Sequence, residues 1–179
     1  MKIAVHLFLM VFLRVTLLDA SPAFAVSLER SEAKLDGELY LYEKNPSSGT
    51  LVPGGAWGKM NYAREGSAFG FVFSGYRLIP GVSYTLIYFP DPWPAEGLIS
   101  LGTATGDSDG KVQVRGSVPI AHLPAKYDAN YPAGAKIRLV LSDDIDWGEG
   151  DSMARKRMRR WNPTHHLLEA QLIKFSISR

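Results

Sequence analysis

The chain has 179 residues, 20 basic and 18 acidic, for a formal charge of +2; this excludes the strongly basic footprint of a nucleic-acid binder. It has no cysteine, which excludes disulfides, thiol catalysis, thiolate metal sites and lipid attachment through an N-terminal cysteine. The fold must then be held by its core or by ions.

At the N-terminus, Lys2 precedes an apolar run over 3–13 broken only by His6. Arg14 ends it, and the segment closes on Ala-Ser-Pro-Ala-Phe-Ala at 20–25. A basic start, a short apolar stretch and a small-x-small ending describe a secretory signal peptide, 1–25. The run is too short to cross a bilayer, which takes about 20 apolar residues. Removal of Lys2, Arg14 and Asp19 with it leaves 26–179 at a formal charge of +1. The expected location is extracytoplasmic: secreted, periplasmic or at the cell surface, with no membrane span after cleavage. A polar lead-in, 26–37, comes next, then one domain over 38–179.

Strand signals recur through that domain, separated by Gly, Pro, Asn and Asp clusters. In 38–44 Leu39 and Leu41 alternate with Tyr40 and Tyr42. In 56–63 Met60 and Tyr62 oppose Trp57, Lys59 and Asn61. Phe69, Phe71 and Phe73 share one face of 68–74. The segment 83–89 is apolar on both faces apart from Ser83 and Thr85, which predicts a central strand, and 97–105 reads the same way. Between them lies Tyr-Phe-Pro-Asp-Pro-Trp-Pro, where Pro90, Pro92 and Pro94 frame Trp93. Prolines lack a backbone N–H and fix φ, so this is a stiff loop holding a large ring. The ring is expected to fold over the core as a plug beside 84–89. The alternative is an exposed platform for a sugar face or a partner pocket, with Asp91 orienting a hydroxyl. Trp57 is a further ligand-contact candidate.

Gly-Asp-Ser-Asp-Gly-Lys at 106–111 carries part of a calcium-loop pattern but lacks its later ligands, and Asp-Gly marks a hairpin turn. Val112, Val114 and Val118 then alternate with Gln113, Arg115 and Ser117, and Ile137, Leu139 and Leu141 repeat the pattern. Five acids follow within nine residues: Asp143, Asp144, Asp146, Glu149 and Asp151. Such oxygen ligands, with Gly148 and Gly150 to bend the chain, suit Ca²⁺; the alternative is a solvated turn, or neutralisation by the basic run downstream. That run, Arg155, Lys156, Arg157, Arg159 and Arg160, is a candidate contact for an anionic partner, or the counter-charge of the acids. Ile173, Phe175 and Ile177 close the chain with a last strand signal. No long helical periodicity appears. About eight short strands predict an all-β, antiparallel β-sandwich.

Catalytic patterns are sparse. His165 and His166 are adjacent, so on a strand they face opposite ways. There is no Gly-x-Ser-x-Gly, no His-Glu-x-x-His and no phosphate-cradling glycine loop ahead of a helix. The blocks around Gly-Gly-Ala-Trp-Gly-Lys-Met-Asn-Tyr (54–62), Tyr-Thr-Leu-Ile-Tyr-Phe-Pro-Asp-Pro-Trp-Pro (84–94) and Trp-Asn-Pro-Thr (161–164) resemble, in order, a domain that recurs in exported bacterial and archaeal proteins of unknown function. The similarity covers roughly 38–175 and is weakest over 149–160. It implies an extracytoplasmic all-β domain and no activity. The function expected is an exported, non-catalytic binding or adhesion module, needing no cofactor unless calcium binds. Its partner would be a glycan, an acidic polymer or an envelope protein. The alternatives are a structural envelope component and a hydrolase on a β scaffold.

Overall fold

The computed structural model describes residues 34–148 and 156–178. The expected signal peptide, most of the lead-in, Glu149, Asp151 and Arg155 lie outside them. Thirteen strands follow in chain order. They are β1 (Gly37–Tyr42), β2 (Trp57–Tyr62), β3 (Glu65–Gly66), β4 (Phe69–Tyr76), β5 (Ser83–Phe89), β6 (Ile99–Thr105), β7 (Val112–Val118), β8 (His122–Leu123), β9 (Lys136–Leu141), β10 (Ile145–Asp146), β11 (Arg157–Met158), β12 (Leu168–Glu169) and β13 (Phe175–Ile177). Among the described residues there is no α-helix, only two 3₁₀ turns, Ser142–Asp144 and Pro163–His165. The all-β expectation is met.

The larger sheet has the order β12-β1-β2-β4-β7 and the second β6-β5-β9, all antiparallel. Their facing sides supply the main core. Leu39, Leu41, Met60, Phe69 and Phe73 come from the first sheet, and Tyr84, Leu86, Tyr88, Ile137 and Leu139 from the second. Each such side chain contributes about 1.5–3 kcal/mol by leaving water. A one-residue slip in any strand would turn that contribution outward, so the period-2 pattern fixes the register. Gly58 allows close packing within the first sheet: a Cβ there would lie 2.4 Å from the Phe73 ring.

One strand departs from expectation. β6 is an edge strand, with Leu101 its only fully buried residue. Apart from the half-buried Ile99, its other positions carry Ser, Gly, Thr and Ala, small residues that need little cover, so a run without large polar side chains imitates a central strand. β5 lies between β6 and β9 and is buried except at Ser83.

Two crossings join the sheets. Leu167 exchanges both backbone hydrogen bonds with Leu139 of β9 at 2.9 and 3.1 Å, and the next two residues, β12, pair with β1. Arg138 of β9 reinforces that crossing with two bonds to the Glu169 carboxylate, 2.9 and 3.2 Å. At the other side β6 turns into β7 through 106–111. There Asp107 accepts the N–H groups of Asp109 and Lys111 and Gly110 takes φ 68°, which makes this stretch a turn.

The outer face of β5 and β9 has its own cover. Ile87, Phe89 and Val140 point away from the main core and pack with Ala95, Leu98, Ile145 and Met158 in a second buried cluster. Ile145 and Met158 come from β10 and β11, which pair as a hairpin. The described ends of the acidic and basic blocks therefore lie side by side: Ile145 and Met158 face the sheet, and Asp146 pairs with Arg157.

Candidate functional site

The outer face of β5 ends at Phe89, and the proline-framed loop leaves from there. Two sets of bonds place the loop. On one side the Met158 N–H donates to the Pro94 carbonyl at 2.7 Å, and the Gly97 and Leu98 N–H groups donate to Lys156. On the other, Asn130 donates to Asp91 at 2.8 Å, and Lys136 forms a close ion pair with the same oxygen. Asp128, buried, ties this side down. It accepts the Tyr88 hydroxyl at 2.7 Å and the backbone N–H groups of Asp91 and Asn130. Burial, then the Asp128 carboxylate, push the Tyr88 phenol well above its usual value, so it stays a donor. Burial also pushes the Asp91 carboxyl up, but Lys136, Asn130 and Arg138 outweigh it and hold it below its ordinary value.

The loop does not form a plug. Trp93 is 48% exposed, which overturns the expectation that it folds over the core. Ala95, two residues on, takes the buried place instead, with its backbone at φ 61°. The indole of Trp93 meets that of Trp161 edge to face, with centroids 6.0 Å apart and planes at 73°. Trp161 is 41% exposed and follows directly from the β11 arm. Beneath the two rings lie Phe89 and the Arg138 guanidinium, which sits 4.0 Å from the Phe89 centroid and 5.3 Å from that of Trp161. These four residues and Asp91 line a cavity of about 510 Å³, within the roughly 300–1,000 Å³ span of small-ligand sites. Both ionised groups in it are already matched, Arg138 by Glu169 and Asp91 by Lys136. The cavity thus presents two exposed aromatic faces and no unbalanced charge.

Behind Trp161 lies a buried polar hub. Asp144, fully buried, accepts from Asn162 at 2.9 and 3.0 Å, from Arg160 at 2.9 Å and from His166 Nε2 at 3.0 Å. His166 is equally buried, packs its ring against Trp161 at 5.3 Å, and has no partner at Nδ1 among the described residues. Burial lowers the His166 pKa more than Asp144 raises it, so the ring is neutral. Burial raises the Asp144 pKa, but its three partners bring it below the ordinary value.

The sequence candidates sort accordingly. Trp93 and Asp91 line one cavity; Trp57 does not join them. It stacks on Tyr76 at 4.7 Å, on the outer face of the first sheet, in a separate cleft of about 480 Å³ with Tyr40 and Tyr42. Of the calcium candidates, Asp144 is turned inward and saturated. Asp146 pairs with Arg157 at 3.2 Å, and Asp143 offers its backbone carbonyl to Arg159 and Arg160. Among the described residues no three acids or histidines converge on a point that could hold a metal. Arg157 and Arg160 of the basic run are paired to the acids upstream, and Lys156 lies over the Trp147 ring at 5.2 Å. Local neutralisation accounts for Asp144, Asp146, Arg157 and Arg160. Sequence reasoning missed Trp161, Phe89 and Arg138 as cavity residues. The first had a usable signal, a tryptophan two residues before a proline at the end of a charged run. No protein-family model matches the chain, nor does any curated protein or solved structure.

Proposed function

We propose that the protein is an exported binding module that holds a neutral sugar ring between Trp93 and Trp161. The observation that carries this reading is the pair of half-exposed indoles, Trp93 on its braced loop and Trp161 after β11, with planes at 73° over an electrically balanced floor. A pyranose has an apolar face of C–H groups and a rim of hydroxyls. An indole offers that face a wide, rigid surface at little entropic cost, while the Asp91 carboxylate accepts from a hydroxyl at the rim. A cationic ligand is disfavoured, because Arg138 already occupies the aromatic floor. An anionic one finds Arg138 engaged by Glu169. The prolines and the Asp128 network order the loop before a ligand arrives, so little freedom remains to be lost on binding. Screening the chain against immobilised neutral and acidic glycans tests the reading. Neutral ligands should be retained by the parent and lost by Trp93→Ala and Trp161→Ala. Equal retention by the variants would reject it.

A further inference from the structure

A second cleft, of about 700 Å³, lies where the small sheet β3-β13-β8 meets the 131–133 loop. Its floor is apolar: Tyr62, Leu123, Ile173 and Phe175 are buried there. Its rim is basic. Arg64, Lys126 and Lys174 line it, with Glu65 as the one carboxylate and the exposed ring of Tyr131 alongside. Of the fifteen described lysines and arginines, six, all outside this cleft, are in ion pairs with carboxylates and nine are in none. The three rim cations are among the nine, although Arg64 receives a neighbouring acid through its backbone, whose N–H donates to Asp36. With Glu65 in the lining and Asp36 beside Arg64 set against the three cations, one positive charge is left unbalanced around one concave, partly apolar surface, and such a surface concentrates anions.

The shape favours one kind of anion. Phosphate is commonly cradled by successive backbone N–H groups at a helix start or a glycine nest, and the rim of this cleft is made of separate side-chain charges. Cations spaced around an apolar floor with an exposed tyrosine suit a ring that carries a carboxylate: the ring lies on the floor and the carboxylate reaches the rim. We propose that this cleft binds acidic sugar units of the uronate type, using Arg64, Lys126 and Lys174, at a site independent of Trp93.

Calorimetric titration of the full chain with a short oligogalacturonate tests this. Saturable binding is expected, weakening as salt rises from about 0.05 to about 0.5 M because the contacts are exposed. The three cations are themselves exposed, so Arg64→Ala/Lys126→Ala/Lys174→Ala should leave the circular dichroism spectrum unchanged. It should weaken binding about tenfold to a hundredfold. Lys126→Arg keeps the charge and should bind like the parent. Trp93→Ala should also bind the uronate like the parent, which separates failure here from failure of the neutral-sugar reading. The proposal is overturned by absence of saturable binding, by equal binding to the triple variant, or by equal binding of the carboxyl-reduced oligomer to this cleft. It is also overturned if inorganic phosphate displaces the uronate at matched concentration, because that would mean general oxyanion attraction.

Discussion

Replacing Asp144 by Ala should be among the most costly single changes in the chain, for reasons that can be worked through bond by bond. The carboxylate is fully buried and accepts four hydrogen bonds from three side chains. Arg160 is 55% exposed at its side chain and would turn to water. His166 would not: its ring is fully buried, already lacks a partner at Nδ1, and would lose the one at Nε2. Asn162 would lose both its contacts with the carboxylate. A buried group left without its partner costs about 1–3 kcal/mol and each further lost hydrogen bond about 1 kcal/mol, so stranding His166 and releasing Asn162 together should cost about 3 kcal/mol. With an m-value of about 2 kcal/mol/M, the urea midpoint should fall by about 1.5 M. The comparison is Asp146→Ala, two residues on, whose pair with Arg157 is exposed; its midpoint should stay with the parent. If Asp144→Ala unfolds at the parental midpoint, or Asp146→Ala loses as much, the hub does not anchor β10 and β11 against the sheet.

Other outcomes follow from the same packing. Met158 is 2% exposed in the cluster over β5 and β9, so Met158→Ala should cost about 2–4 kcal/mol by denaturant titration, although it sits in a run of arginines. Stability should decline with acid in two stages. His166 has a folded pKa below 6.5, so the unfolded chain takes up its proton first, and stability falls as pH drops from about 6.5 toward the folded value. Asp144 and Asp91 have folded values below 3.8, so a second loss begins near that pH and deepens below it. His166→Gln should remove the first stage of the pH titration and keep the second. Millimolar calcium should leave the melting temperature unchanged, because Asp144 is saturated and Asp146 is paired; a rise would require a site completed by acids such as Glu149 and Asp151.

The strands were legible because burial imposes a period of two on any sheet with one face covered. Leu39 and Leu41, the three phenylalanines of β4 and the valines of β7 all stand where alternation puts them. Legibility failed where a segment's partner is distant in the chain. The charged blocks around 143–160 read as a calcium loop, a solvated turn or a self-neutralising pair because charge dominates their composition. Ile145 and Met158, one apolar residue in each arm, show that the segment covers a sheet. Likewise the proline loop announced its stiffness, but the direction of Trp93 depends on Trp161, 68 positions away in the chain, and on backbone bonds from the β11 arm. Arg138 reads as the polar side of an alternating strand. Its position beneath two aromatic rings follows from the crossing at 167–169, which no local pattern encodes.

The central claim, that Trp93 is a platform and not a plug, is tested most directly by measuring stability and sugar binding on one variant, Trp93→Ala. The exposed ring gives up mainly its edge-to-face contact with Trp161, so the loss of stability should be about 1 kcal/mol. A buried tryptophan would lose about 3–5 kcal/mol. The account predicts a variant that unfolds close to the parent and no longer retains the neutral glycans that the parent binds. A variant that unfolds several kcal/mol earlier, or one that still binds those glycans as the parent does, would contradict it.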